Sequence, residues 1–158
     1  VVPSNSNKTL SYKQFFDATR LMFDSKISDI DYKDFMHLGS QYWKHWFTTM
    51  QYEHNWLTNG TTEYKKTHIG YHGVFVTAWA MTVSRLRKLK VYDEHEIIAA
   101  MNYFWVKYDP NKFTREGWVG ICVNQITNRV ELSRRAKSLT SDQFFETIIN
   151  KLEQLKRD

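Results

Sequence analysis

Hydrophobic residues along most of this chain recur at intervals of three and four positions, the spacing of one face of an α-helix. The pattern is most continuous between Thr61 and Lys90, where an apolar middle is flanked by polar and basic residues. Val76, Ala78 and Met81 widen the apolar face, so that most of the circumference of the middle turns is apolar. The pattern predicts a central core helix over residues 61–90 that is packed on several sides.

The same periodicity predicts further helices on both sides of the central one. One helix is expected to begin at Ser11 and another at Leu139. Three more are expected between them, from Ser28 to Asn59, from Glu94 to Tyr108 and from Thr114 to Lys137. Ser11 with Gln14, and Thr140 with Gln143, match the capping box that opens helices. We therefore expect an all-α, single-domain bundle of five or six helices in residues 10–158, after a flexible arm of small polar residues at 1–9.

Composition agrees with a helical protein. The 158 residues include only 2 Pro and 6 Gly, which favours long helices over a turn-rich β fold. Aromatic residues make up 16%, a density that suits a thick core, an assembly surface or a platform for bases. Cys122 is the single cysteine, which excludes an intrachain disulfide and a Cys-based zinc site, and its apolar neighbours indicate a buried structural thiol.

Neither a membrane span nor a signal peptide is expected. The longest apolar run, 74–81, is interrupted by Thr77 and is far shorter than the roughly 20 residues that cross a bilayer. No basic start is followed by an apolar segment. We therefore expect an intracellular or virion location.

The net charge of +5 is unevenly distributed. Residues 61–90 hold six basic and one acidic side chain, and residues 111–137 hold six and two, whereas the remainder is balanced or acidic. We refer to Arg85, Arg87, Lys88 and Lys90 as the first basic cluster. The second basic cluster consists of Arg129, Arg134, Arg135 and Lys137. Each is predicted to finish a helix, where cations are favoured by the dipole, but four cations exceed what that role requires.

The two clusters would form one polyanion-binding patch if the two helix ends converge. Arginine forms forked hydrogen bonds to phosphate, and lysine contributes a mobile positive charge. Because no base-reading motif is present, we expect contacts to the nucleic-acid backbone that are sensitive to salt and indifferent to base sequence.

The expected function is that of a non-enzymatic structural protein of coat or packaging type, without a cofactor. It would bind nucleic acid through basic helix ends and self-associate into an oligomer or filament through aromatic faces. Coat subunits of filamentous viruses are built on this plan, which is an analogy of architecture and not of sequence.

Two alternatives remain open at this stage. His68 and His72 lie one helical turn apart, the usual way for a helix to offer two ligands to a metal. A third ligand would then come from His45, His54 or Glu63. The other alternative is a helical protein–protein interaction module with an apolar groove for a partner helix.

Overall fold

A computed structural model of the chain describes residues 12–23, 32–54, 62–106 and 110–158. Within these residues, six α-helices form: α1 (Tyr12–Phe23), α2 (Tyr32–His54), α3 (Thr62–Thr67), α4 (Gly73–Lys88), α5 (Glu94–Val106) and α6 (Arg134–Arg157). Two 3₁₀ turns, Pro110–Phe113 and Arg115–Trp118, lie between α5 and α6. The described part of the chain contains isolated β-bridges and no strand. The prediction of an all-α, single-domain bundle is confirmed.

Helix α4 is the centre of the bundle. It packs chiefly against α6 and α1 and also contacts α5, while α2 packs on α5. Its buried side chains lie around nearly the whole circumference: Val74, Phe75, Val76, Ala78, Trp79, Ala80, Thr82, Val83, Ser84 and Leu86. The expectation of a central apolar helix is therefore confirmed, and each large side chain buried there contributes about 1.5–3 kcal/mol.

The aromatic residues build the core. Phe75, Trp79, Phe104 and Phe144 pack edge to face or tilted, with Phe144 ring centroids 4.8 Å from Phe75 and 5.4 Å from Trp79. Among the aromatic side chains whose burial is described, only Tyr103 counts as exposed. The sequence predicts that aromatic faces join neighbouring subunits, but little aromatic surface is exposed in the described residues.

The predicted helix over 61–90 is interrupted, which corrects its bounds. The N–H of His68 still donates to the Tyr64 carbonyl (2.8 Å), but the N–H of Ile69 donates to the carbonyl of Phe113 (2.9 Å). His72 is extended (φ −79°, ψ 147°) and precedes α4. Glycine at 70 and 73 weakens the helix here, and the Phe113 carbonyl replaces the lost helical partner.

The predicted helix from Thr114 to Lys137 is wrong. The N–H of Glu131 donates to the carbonyl of Cys122 (2.8 Å), and Gly120 has a positive φ of 82° that favours glycine. Residues 114–133 therefore follow 3₁₀ turns and loops. The predicted start at Leu139 is also wrong, because Thr140 lies inside α6 and its hydroxyl donates to the Ala136 carbonyl (2.7 Å).

Several predictions fall outside the described residues, namely the arm at 1–9, the Ser11 cap, the helix start at Ser28 and the helix end at Asn59. Of the helices in the described ranges, none combines the length and apolar character needed to cross a bilayer. Cys122 is fully buried, as expected, and burial raises the pKa of its thiol to about 11.

Candidate polyanion-binding surface

The second basic cluster lies at the beginning of α6. Ser133 is extended (φ −69°, ψ 161°) and its hydroxyl oxygen accepts a hydrogen bond from the Ala136 N–H (3.1 Å), which caps the helix. Arg134, Arg135 and Lys137 follow directly, and the first turn contains no acidic residue. The prediction that this run finishes a helix is therefore wrong, because these cations stand at the positive end of the helix dipole.

The side chains of the second basic cluster carry uncompensated charge. Arg129, Arg134 and Arg135 are exposed and Lys137 is half-buried. Among the described residues, none of these four has a carboxylate oxygen within 4.0 Å. The acid nearest in sequence, Glu131, instead accepts a hydrogen bond from Asn124 Nδ2 (2.8 Å). A positive surface patch results.

The loop that carries Arg129 is held by its own hydrogen bonds. Asn124 Oδ1 accepts from the N–H groups of Ile126 (2.8 Å) and Thr127 (2.9 Å), and the Asn124 N–H donates to the Arg129 carbonyl (2.9 Å). Asn128 takes a positive φ of 56°, which asparagine tolerates better than most residues. The loop therefore presents Arg129 from a folded turn immediately before α6.

Arg115 anchors this loop to the interior, a role that the sequence did not indicate. Its guanidinium donates to the carbonyls of Asn128 (3.0 Å) and Lys65 (2.5 Å), which links the loop to α3. Its Nε is buried and lacks a hydrogen-bond partner among the described residues. Nothing local distinguishes Arg115 from the other basic residues of 111–137, because both of its acceptors are backbone carbonyls from distant positions.

The first basic cluster is largely engaged in packing. Arg85 Nη1 contacts Asp142 Oδ1 (2.8 Å), and its guanidinium carbon lies 4.1 Å from the centroid of the Phe145 ring. Arg87 Nε contacts Glu94 Oε2 (3.2 Å), and the same guanidinium covers Phe23 at 4.7 Å. These two arginines therefore join helices to one another.

Lys88 and Lys90 are the exposed members of the first basic cluster. Lys88 is the last residue of α4, and Lys90 adopts a positive φ of 55° in the turn that follows. Their position at the end of α4 and just after it agrees with the sequence prediction.

The two basic clusters do not converge on one helix end. Helices α4 and α6 run side by side in the same direction, since Thr82 contacts Ser141, and Lys156 Nζ donates to the Val91 carbonyl. Arg135 lies seven residues before Asp142, the partner of Arg85, which is about 10 Å along a helix. The second basic cluster therefore lies nearer to the beginning of α4 than the first, which lies at the end of that helix.

His68 and His72 are not neighbours on one helix face, which corrects the basis of the metal alternative. His68 Nδ1 lies 2.7 Å from Thr67 Oγ1, and its ring stacks on Tyr64 (4.7 Å between centroids). His72 Nε2 lies 3.0 Å from the Lys65 carbonyl oxygen, so the neutral ring donates there. Burial lowers the pKa of both histidines, opposed at His68 by the charge of Glu116.

A search of the described residues for three or more His, Cys, Asp or Glu side chains placed to hold a metal ion finds none. Comparison of the chain with protein-family models, with curated proteins and with solved structures finds no match.

Proposed function

We propose that this protein binds the phosphate backbone of nucleic acid without reading base sequence, and that it self-associates as a coat or packaging subunit. The observation that carries the proposal is the second basic cluster at the start of α6. Three of its cations occupy the first turn of a 24-residue helix, where acidic residues would be favoured. An external anion would compensate both the side chains and the helix dipole.

The geometry suits phosphate in particular. Ser133 accepts from the Ala136 N–H, and the N–H groups of Arg134 and Arg135 have no partner within the helix, which favours a bound anion at this end of α6. Arg134 and Arg135 add forked donors beside them, and Arg129 is presented from the preceding turn. With four phosphate contacts, the logarithm of affinity for duplex DNA falls with the logarithm of salt concentration at a slope of about −3.6.

The first basic cluster has a smaller part in this proposal. Arg85 and Arg87 are held by Asp142 and Glu94, and recruiting them to phosphate would break contacts between helices. Lys88 and Lys90 are exposed and would add peripheral contacts about 10 Å or more from the second cluster.

Exposed apolar side chains beside the second basic cluster support self-association. Ile126 stands at the tip of the loop with 93% of its surface exposed, and Leu132 precedes α6 with 55% exposed. The hydrogen bonds to Asn124 hold the Ile126 backbone in one conformation, so burying this side chain on a neighbouring subunit would require little further ordering. Binding and assembly would then use adjacent surfaces.

The binding proposal is tested with the double substitution Arg134→Glu and Arg135→Glu. A matched control, Lys156→Glu with Arg157→Glu, makes the same charge change on exposed residues at the other end of α6. Fluorescence anisotropy with two duplexes of unrelated sequence should show a loss of about tenfold or more for the first variant at low salt. Its salt slope should become shallower by about 2, and the control should lose much less.

Equal losses in the two variants would mean that net charge alone governs binding, and unchanged binding in the first variant would refute the proposed site. A strong preference for one duplex over the other would contradict backbone recognition.

Assembly is tested by light scattering with and without duplex at low and high salt. Ile126→Asp should reduce particle growth, whereas Gln125→Asp, which adds the same charge to the neighbouring exposed residue, should leave it largely unchanged. A monodisperse monomer under all conditions for the parent protein would refute the assembly part of the proposal.

A further inference from the structure

A cleft of about 300 Å³ opens between α5, α6 and the two 3₁₀ turns, and its lining includes no residue of either basic cluster. Its walls are mainly rings, contributed by Phe104, Phe113, Trp118 and Phe144. The rings of Phe113 and Trp118 are nearly parallel (18°), with centroids 6.3 Å apart. The Trp118 N–H is already satisfied by the Lys112 carbonyl (2.6 Å), so the indole offers the cleft only its apolar surface.

The rim of the cleft is positively charged. Lys112 and Lys151 are among its lining residues, together with the polar side chains of Gln143 and Thr147, and none of the residues that line it is acidic. Lys151 Nζ lies 4.0 Å from the centroid of the Tyr103 ring, so this charge is held against the edge of the apolar wall. Flat apolar walls beneath two cations favour a ligand that joins a planar ring to an anion.

The size of the cleft limits the ligand. A volume of about 300 Å³ lies at the small end of the range for ligand sites. Such a space accommodates one ring system with its substituent and is too small to enclose a partner helix. Base stacking on aromatic side chains contributes about 1–3 kcal/mol, which suits these walls.

We propose that this aromatic cleft binds a nucleotide, with the base against the rings and the phosphate between Lys112 and Lys151. The site is separate from the second basic cluster, because its α6 residues begin at Gln143, six positions after Lys137. The inference therefore does not depend on the proposed backbone binding.

The ligand class is tested by calorimetric titration of the whole protein with four probes: adenosine 5′-monophosphate, adenosine, inorganic phosphate and decanoate. The monophosphate should bind best and adenosine about tenfold more weakly, because it lacks the charge-assisted contacts. Phosphate alone should show no measurable binding. Decanoate binding as tight as the monophosphate would overturn the inference in favour of an aliphatic acid, and no binding of the monophosphate would overturn it outright.

Substitutions locate the site. Thr147→Trp places a large side chain in the mouth of the cleft and should abolish monophosphate binding, whereas Glu146→Trp, at the neighbouring exposed position, should leave it intact. Replacing Lys112 and Lys151 by Gln should lower monophosphate affinity to that of adenosine without changing adenosine affinity. Lys156→Gln, which removes a lysine from the same helix outside the cleft, should change neither. Equal loss for both ligands would refute the assignment of the lysines to the phosphate.

The two proposals can fail separately. The Arg134→Glu, Arg135→Glu variant should retain monophosphate binding even if it loses duplex binding. Loss of monophosphate binding in that variant, with retention in Thr147→Trp, would assign nucleotides to the second basic cluster and overturn the cleft.

Discussion

The first and second basic clusters each have four cations, yet they occupy opposite electrostatic settings. Arg85 and Arg87, in the first, each contact a carboxylate and an aromatic ring from another part of the chain. Arg134 and Arg135, in the second, have no carboxylate within 4.0 Å among the described residues and stand at the positive end of α6. The charge of a segment therefore does not reveal whether its cations serve packing or remain available to a ligand.

The largest effect on stability is expected at Arg87. Arg87→Met removes the contact with Glu94, the hydrogen bond to the Met22 carbonyl and the cover over Phe23, while keeping most of the aliphatic volume. We expect the free energy of unfolding to fall by about 2 kcal/mol, because Glu94 is left partly buried with the Tyr42 hydroxyl as its one hydrogen-bond partner among the described residues. Urea denaturation measures the change, and Arg20→Met, at an exposed position, is the control. A change below about 0.5 kcal/mol would contradict the packing role.

A smaller loss is expected at Arg85. Its contact with Asp142 is more exposed (39% and 53% for the two side chains), so the ion pair contributes little and the Phe145 contact supplies much of the rest. Arg85→Met should lower the free energy of unfolding by about 1 kcal/mol. Repeating the denaturation at high salt separates the two contributions. If the loss disappears entirely, the ion pair and not the ring contact is responsible.

The second basic cluster should behave in the opposite direction. Replacing Arg134 and Arg135 by Glu places anions in the first turn of α6, which should raise the free energy of unfolding by roughly 0.5 kcal/mol or more. Thermal and urea denaturation of the variant measure this. A gain in stability together with a loss of duplex binding would show that these arginines are retained for binding. A destabilised variant would instead point to structural contacts of these arginines.

The smallest expected effect is that of pH on binding, because Arg and Lys do not titrate between pH 5.5 and 7.5. The free energy of unfolding, in contrast, should change with pH between 5.5 and 7.5. Burial lowers the pKa of His72, which lies beside Arg115 and Lys65, so the unfolded chain binds more protons below its ordinary pKa of 6.5. The contribution of His72 to the free energy of unfolding is therefore fully present above pH 6.5 and is lost as the pH falls from 6.5 toward the lower pKa of the folded state.

A pair of measurements separates these effects. Urea denaturation at pH 7.5 and 5.5 should show the loss of stability, and His72→Gln, which preserves a donor to the Lys65 carbonyl, should reduce it. Duplex affinity of the folded protein should stay the same at both pH values. A pH-dependent affinity would require a histidine at the binding surface and would contradict the present assignment.

At the second basic cluster, the sequence predicts the concentration of charge but not the helix that carries it. The prediction places these cations at the end of a helix over residues 114–137, whereas they stand at the beginning of α6. Thr140 with Gln143 resembles a capping box, yet Ser133 caps the helix and Thr140 lies in its buried stripe. Ser133 and Thr140 are both suitable caps by residue type. The packing of Ala136 and Thr140 against the rest of the bundle decides that Ser133 caps the helix.

The aromatic cleft was not visible in the sequence at all. Its rings come from α5, from both 3₁₀ turns and from α6, and the sequence predicts Trp118 in a helix that does not form. Lysines at 112 and 151 have no local feature that relates them. Their common position depends on how α5 and α6 pack.

By itself, the sequence determined that the protein is an all-α bundle around a central apolar helix, because the helical spacing of apolar residues such as Phe75, Trp79 and Val83 is a local property of the chain. It also located the two concentrations of positive charge. Only the tertiary structure decided where the central helix begins, since the Phe113 carbonyl takes the Ile69 N–H that would otherwise continue it. The tertiary structure likewise decided which arginines are engaged, because Asp142 and Glu94 reach Arg85 and Arg87 only after the helices have packed.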